Sequence, residues 1–177
     1  QVVLVQACSA LRDQGLPFKL TLVGDGPDRP RIEAAIAAHR LQDHIELTGS
    51  VGQDRVRAEL TAADVFVLPS FAEGIPVVLM EAMASGVPCV STPVNGIPEL
   101  IQHQRTGLLA VPGDVASLVD QLASLIRSPA LRESMAAPAR AQVETAFHLG
   151  HNTRALSRLF AAFPAAPLQA PAAVLAH

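Results

Sequence analysis

Residues 65–68 read Val-Phe-Val-Leu, a run with no polar face. A strand that is apolar on both sides must be covered on both sides, and a parallel sheet between helical layers provides that cover. The run is one of a series. Short apolar stretches at residues 18–23, 45–47, 65–68, 87–91 and 107–111 read as strands. Segments with helical spacing fall at residues 2–11, 31–39, 56–62, 77–84, 97–102 and 115–126, and two more helices follow at 130–145 and 152–163. Gly15 stops the first helix, and Gly113-Asp114 is the start signal for the one at 115–126. Strands alternating with helices specify an α/β domain with a Rossmann-like, mainly parallel sheet flanked by helices. In such sheets ligands bind beyond the carboxyl ends of the strands. Gly24, Gly49, Ser70 and Thr92 each follow a predicted strand within two residues and should meet on one rim. The domain is expected over residues 1–163. Residues 164–177 are rich in Ala and Pro and are expected to be a poorly ordered tail.

Composition removes several classes of function. The chain of 177 residues carries 13 basic and 16 acidic side chains, a net charge of −3, which argues against nucleic acid as the main partner. It has six Phe and neither Tyr nor Trp, too few aromatics for a surface that stacks single-stranded bases. Cys8 and Cys89 fit no zinc or redox spacing; both sit in apolar stretches and are expected to be buried free thiols, as in a reducing compartment. No run of ~18 apolar residues is present, so no membrane span is expected, and no signal peptide is visible.

The stretch Glu73-Gly74-Ile75-Pro76-Val77-Val78-Leu79-Met80-Glu81 says most about chemistry. Proline opens a helix well, because its absent N–H would have no partner there. The next N–H groups then point outward at the positive end of the helix dipole, a natural seat for phosphate. Gly74 lets backbone approach a ligand with no side chain in the way. One turn further on, Glu81 can accept hydrogen bonds from two vicinal hydroxyls, as on a ribose. Phosphate-binding amides between two carboxylates are the parts a nucleotide-sugar site needs. Glu81 could instead only reach solvent, and Glu73 could only satisfy amides at the helix start.

From Gly24 to Asp114 the order of signals resembles the C-terminal, donor-binding half of the family 4 retaining glycosyltransferases, the glycosyl transferases group 1 type. The matching pieces are Leu22-Val23-Gly24-Asp25-Gly26-Pro27, Thr48-Gly49-Ser50-Val51 and Ala63-Asp64-Val65-Phe66-Val67-Leu68-Pro69-Ser70. The two-glutamate segment follows and runs through Ala82-Met83-Ala84-Ser85-Gly86-Val87-Pro88. Asn95-Gly96-Ile97-Pro98-Glu99-Leu100, Thr106-Gly107-Leu108-Leu109 and Pro112-Gly113-Asp114 complete the run.

The resemblance implies a GT-B architecture, two Rossmann-like domains with the active site between them, of which this chain would be the second domain without its first strand. It implies sugar transfer from a nucleotide-diphosphate sugar with retention at the anomeric carbon, to a saccharide or lipid-linked acceptor, as in polysaccharide biosynthesis. By the same resemblance Glu81 holds the donor ribose and Glu73 faces the sugar near the reacting carbon as the catalytic carboxylate. The backbone of Gly74, Ile75, Val77 and Val78 contacts sugar and diphosphate. Ser50 and Val51 lie along the nucleobase, and Gly24 and Gly26 let their loop pack close to the cleft. No cofactor and no metal are expected. The acceptor would be bound mainly by an N-terminal domain outside this chain. The whole protein would be cytoplasmic, with peripheral association at the inner membrane face. A sheet lacking its first strand would either show a gap or close over it, and marginal stability of these 177 residues is expected.

Two departures from the family pattern bear on this. Where many members carry Gly-Phe-Gly after the first glutamate, this chain has Gly74-Ile75-Pro76, and Pro76 cannot donate a hydrogen bond. The family's Arg and Lys, between the first strand and first helix of this domain, have no counterpart here, and Lys19, the only lysine, lies too far along to replace them. Other readings fit less well. Gly24-Asp25-Gly26-Pro27-Asp28-Arg29 lacks the third glycine and the acidic partner of a dinucleotide fingerprint. Ser70 has no Gly-x-Ser-x-Gly elbow. His148 and His151 have no further ligand at metal spacing. Glu99, Arg55 and Arg57 read as structural or solvated. The alternatives that remain are a GT-B nucleotide-sugar epimerase and a non-catalytic nucleotide-binding module.

Overall fold

A computed structural model describes residues 1–162. The expected tail at 164–177, and position 163 of the last predicted helix, lie outside the described residues. Residues 1–146 and 147–162 belong to separate compact units. The second unit is represented by one helix, α8 (Leu149–Ala162), with no buried residue.

The first unit follows the alternation read from the sequence. Its elements are α1 (Val2–Asp13), β1 (Leu20–Val23), α2 (Arg29–Ala38), β2 (Ile45–Gly49), α3 (Gln53–Ala62), β3 (Phe66–Leu68), α4 (Val77–Ala84), β4 (Cys89–Ser91), α5 (Ile97–Leu100), β5 (Leu108–Leu109), α6 (Val115–Arg127) and α7 (Pro129–Ala146). All strand pairings are parallel. They form two sheets rather than one, β1-β2 and β3-β4-β5. No strand pairing joins the two sheets among the described residues. β1 and β3 each keep one unpaired edge, and every residue of β3 is half-buried although all three are apolar.

Helices join what the strands leave apart. α1 packs against both α2 and α6. Its buried face of Leu4, Val5, Ala7, Cys8 and Leu11 enters one cluster with Ile36, Leu41 and Ile45 from the first sheet's side and Val90, Leu108, Leu118 and Leu122 from the second's. The Arg12 guanidinium reaches the carbonyl oxygens of His39 and Arg40, tying the end of α1 to the turn after α2. α4 packs against α7, β3 and β4, with Leu79, Ala82 and Met83 fully buried. β4 is buried on both faces, as a central parallel strand requires.

Helix starts follow local chemistry. Asp114 is extended at the head of α6, and its Oδ1 accepts from the N–H groups of Ala116 and Ser117 at 2.9 and 3.2 Å. α3 begins three residues before the predicted position 56. Gly52 is extended there, and Asp54 in the first turn suits the positive end of the helix dipole. Both cysteines are free and buried, and burial pushes the Cys8 thiol up to about 12 and the Cys89 thiol higher still.

Candidate functional site

The carboxyl ends of the two sheets carry two groups of residues. At the end of the first sheet Gly24 and Gly49 form a bridge, with the Gly24 N–H donating to the Gly49 carbonyl at 3.0 Å. Gly24 has φ +123° and Gly49 φ +69°, backbone that side chains with a Cβ rarely adopt, so both strand ends need glycine. Arg29 lies over this bridge, paired with Glu33 at 2.8 Å and Asp25 at 3.9 Å. Gly26 and Ser50 are exposed and Val51 is half-buried.

At the end of the second sheet a chain of hydroxyl contacts fixes the loop before α4. Ser91 Oγ donates to the Leu68 carbonyl at 2.7 Å, and Thr92 Oγ1 donates to the Ser70 carbonyl. Ser70 Oγ then donates to Glu73 Oε1 at 2.8 Å. Ser91 and Thr92 are almost fully buried, so these bonds form away from competing water. Glu73 is half-buried, and the side chain that holds it is a serine; it does not cap α4.

Pro76 is the N-cap of α4 with extended backbone (φ −70°, ψ 121°), and no side chain caps the helix. Among the described residues, the N–H groups of Gly74, Ile75, Val77 and Val78 have no acceptor. Gly74, Ile75 and Val77 are exposed and Val78 is half-buried. These amides carry unused donors at the positive end of the helix. Glu81 is exposed on α4, and no hydrogen bond or ion pair engages its carboxylate. An anion at the amides and a hydroxyl pair at Glu81 both meet groups with unused hydrogen-bonding capacity.

The structure thus joins Glu73, Gly74, Ile75, Val77, Val78 and Glu81 on one loop and helix, and Gly24 with Gly49 on the other sheet. No hydrogen bond or ion pair links the two groups among the described residues. Two concavities among the described residues lie elsewhere, one along α3 at Asp54, Arg57 and Thr61, the other between β5, α6 and α7 at Leu108, Gln121 and Met135.

Residues set aside by the sequence reading fall as follows. Arg55 pairs with Glu59 on the surface of α3 at 2.6 Å. Glu99 is exposed and its carbonyl accepts from Gln142. The His148 and His151 rings lie 4.8 Å apart, and no group of three metal-ligating side chains occurs among the described residues. Sequence reasoning assigned no role to Ser70 or Thr92 beyond following strands. Their signal was a hydroxyl residue at the carboxyl end of an apolar strand, where backbone carbonyls of the neighbouring loop need donors.

Known proteins resemble the chain along most of its length. Residues 1–142 match the family described as glycosyl transferases group 1. The amylovoran biosynthesis glycosyltransferase AmsK of Erwinia amylovora is 41% identical over 152 residues, covering 82% of this chain and 37% of the relative. Sucrose-phosphate synthase of Thermosynechococcus elongatus superposes with a TM-score of 0.81 at 27% identity, over 92% of this chain and 42% of that one. Anabaena HepE, solved in complex with UDP, superposes with a TM-score of 0.83 at 21% identity, over 92% of this chain and 45% of that one. The architecture of parallel sheets flanked by helices is that of GT-B glycosyltransferases. The chain spans about a third of the length of the curated relatives it matches. It belongs to the family of glycosyl transferases group 1.

Proposed function

We propose that residues 1–146 bind the nucleotide-sugar donor of a retaining glycosyltransferase that elongates a saccharide or lipid-linked acceptor in polysaccharide biosynthesis. One observation carries the reading: free amides at the start of α4 stand between a held carboxylate, Glu73, and an unengaged one, Glu81. The biosynthetic role of AmsK and the UDP bound by HepE, a nucleoside diphosphate, support it.

In this reading the donor diphosphate lies over the amides of Gly74, Ile75, Val77 and Val78. As the sugar leaves, charge grows on the diphosphate, and fixed amides with the helix dipole stabilise it without reorganising. Glu81 accepts from the ribose hydroxyls and sets the donor's register. Glu73, fixed by Ser70, stabilises positive charge developing on the sugar ring. Ser50 and Val51 lie along the base, and Gly24 and Gly26 keep that rim low. The acceptor is bound by a second domain of the whole protein, which works at the cytoplasmic membrane face. No metal takes part, so turnover is expected to survive chelation of divalent cations.

The test is titration of the full-length protein with UDP, GDP and ADP, followed by Glu81→Ala. Loss of two hydrogen bonds to a charged acceptor, each of about 1.5 kcal/mol, weakens binding roughly 100-fold. Unchanged affinity in Glu81→Ala removes the ribose role, and no binding of any nucleoside diphosphate by the parent removes the donor-site reading.

A further inference from the structure

The turn at residues 92–96, between β4 and α5, has no place in the donor contacts above, yet it touches the loop at residues 70–76 twice. Thr92 Oγ1 donates to the Ser70 carbonyl at one end. At the other end Gly96 lies against Gly74. A methyl group on Gly96 would stand 2.5 Å from the Gly74 carbonyl oxygen, 2.7 Å from Ile75 Cγ1 and 3.0 Å from the Gly74 carbonyl carbon. The two nearest Gly74 atoms are backbone, so no side-chain rotation relieves the overlap.

Gly96 has φ −80° and ψ −6°, ordinary right-handed backbone open to any residue. The glycine is needed for space and not for conformation. This sets it apart from Gly24 and Gly49, whose positive φ angles demand glycine by themselves. The turn cannot easily retreat. Ile97, Leu100 and Ile101 directly behind it are buried to within 1% of completely, and internal bonds from Val94 N–H to Thr92 and from Ile97 N–H to Val94 close it on itself. A larger residue at 96 therefore displaces the opposite side, the exposed loop with the free amides.

We propose that Gly96 is a positioning residue for the donor site, the seat on which Gly74 and Ile75 rest so that the amides from Gly74 to Val78 converge. Thr92 is the second anchor of the same seat. The inference rests on the donor-site reading, and it adds that the height of the loop is set from a separate turn across the strand ends.

The experiment uses the full-length protein and calorimetric titration with whichever of UDP, GDP or ADP binds the parent most tightly. Gly96→Ala is expected to raise Kd at least tenfold, with a stoichiometry of one site per folded chain. A purely structural role would lower the number of competent sites and leave Kd alone. If Gly96→Ala binds with parental Kd while Glu81→Ala does not, the positioning role is overturned and the donor site stands; parental Kd in both overturns the positioning role and the ribose role of Glu81 together, and a parent that binds no nucleoside diphosphate overturns the donor-site reading itself. Should Gly96→Ala fail to fold, Thr92 decides. Thr92→Val removes the hydroxyl at nearly constant volume and is expected to raise Kd severalfold, whereas Thr92→Ser keeps the bond and restores binding to within twofold. Equal Kd in Thr92→Val and the parent overturns the seat.

Discussion

The two sheets of the first unit solve the problem of presenting a loop in different ways. At the end of β1-β2 the rim is made by glycine conformation and by surface ion pairs, Asp25–Arg29 and Arg29–Glu33, with every partner side chain at least 36% exposed. At the end of β3-β4-β5 it is made by buried hydroxyls, a fully buried central strand and a close backbone contact. Exposed pairs give little stability because water and salt screen them, whereas a buried hydroxyl bond cannot be exchanged for water without leaving a polar group unsatisfied. The second rim is thus the preorganised one. It is also the rim with unused amides, which is where a reaction that develops charge gains most from fixed dipoles.

The largest expected difference between the two halves is in packing. Leu79 on α4 is fully buried and Leu22 on β1 only half-buried. Leu79→Ala should cost about 2–5 kcal/mol, and Leu22→Ala about 1 kcal/mol, since less apolar area returns to water. Chemical denaturation of the two variants measures both. Equal costs would mean that β1 is buried as well as α4 is in solution, and the contrast between the halves would fail.

The next test uses the cysteines. Desolvation raises both thiols above their ordinary value of 9.0, Cys8 to about 12. The unfolded chain therefore gives up these protons first as pH rises. The stability they contribute is complete below pH 9.0 and is lost progressively as pH climbs from there through about 12. Reagents that need thiolate should find neither residue at neutral pH except through opening of the fold. Cys89 lies in central β4 and Cys8 in α1, so Cys8 is expected to label faster. Mass-resolved labelling reads the order, and faster labelling of Cys89 would place the weaker half on the other side.

Sequence alone carried the element order because period and punctuation are local properties. An apolar run ending in Gly or Ser, followed by a helical pattern, is visible without tertiary context, and Gly113-Asp114 announced α6 to the residue. The early start of α3 was less visible because Gln53, Asp54 and Arg55 are polar and carry no apolar period, while the free end that starts there is set by Gly52. The glutamate pair could be read because both carboxylates share one short segment. The Ser70–Glu73 bond could be guessed from spacing at most, and the contact of Gly96 with Gly74 not at all. It joins loops twenty-two residues apart through a distance, and distance across strand ends is a product of packing. The break between β1 and β3 is likewise a tertiary fact, since each strand pattern is complete by itself.

The smallest expected effects refine the comparison at the helix starts. Asp114 caps α6 with two backbone N–H groups, so Asp114→Ala leaves both without a partner and should cost about 1 kcal/mol. Arg29 sits at the first turn of α2, where its positive charge opposes the helix dipole even as it pairs with Glu33 and Asp25. The two contributions are of similar size and opposite sign, so Arg29→Ala should change stability by no more than about 0.5 kcal/mol. Paired thermal melts at low and high salt separate them. The loss from Asp114→Ala should persist at high salt, because a cap is mostly a hydrogen bond, while any change from Arg29→Ala should fade with screening. A salt-independent loss above 1 kcal/mol in Arg29→Ala would show that the first rim is held as firmly as the second.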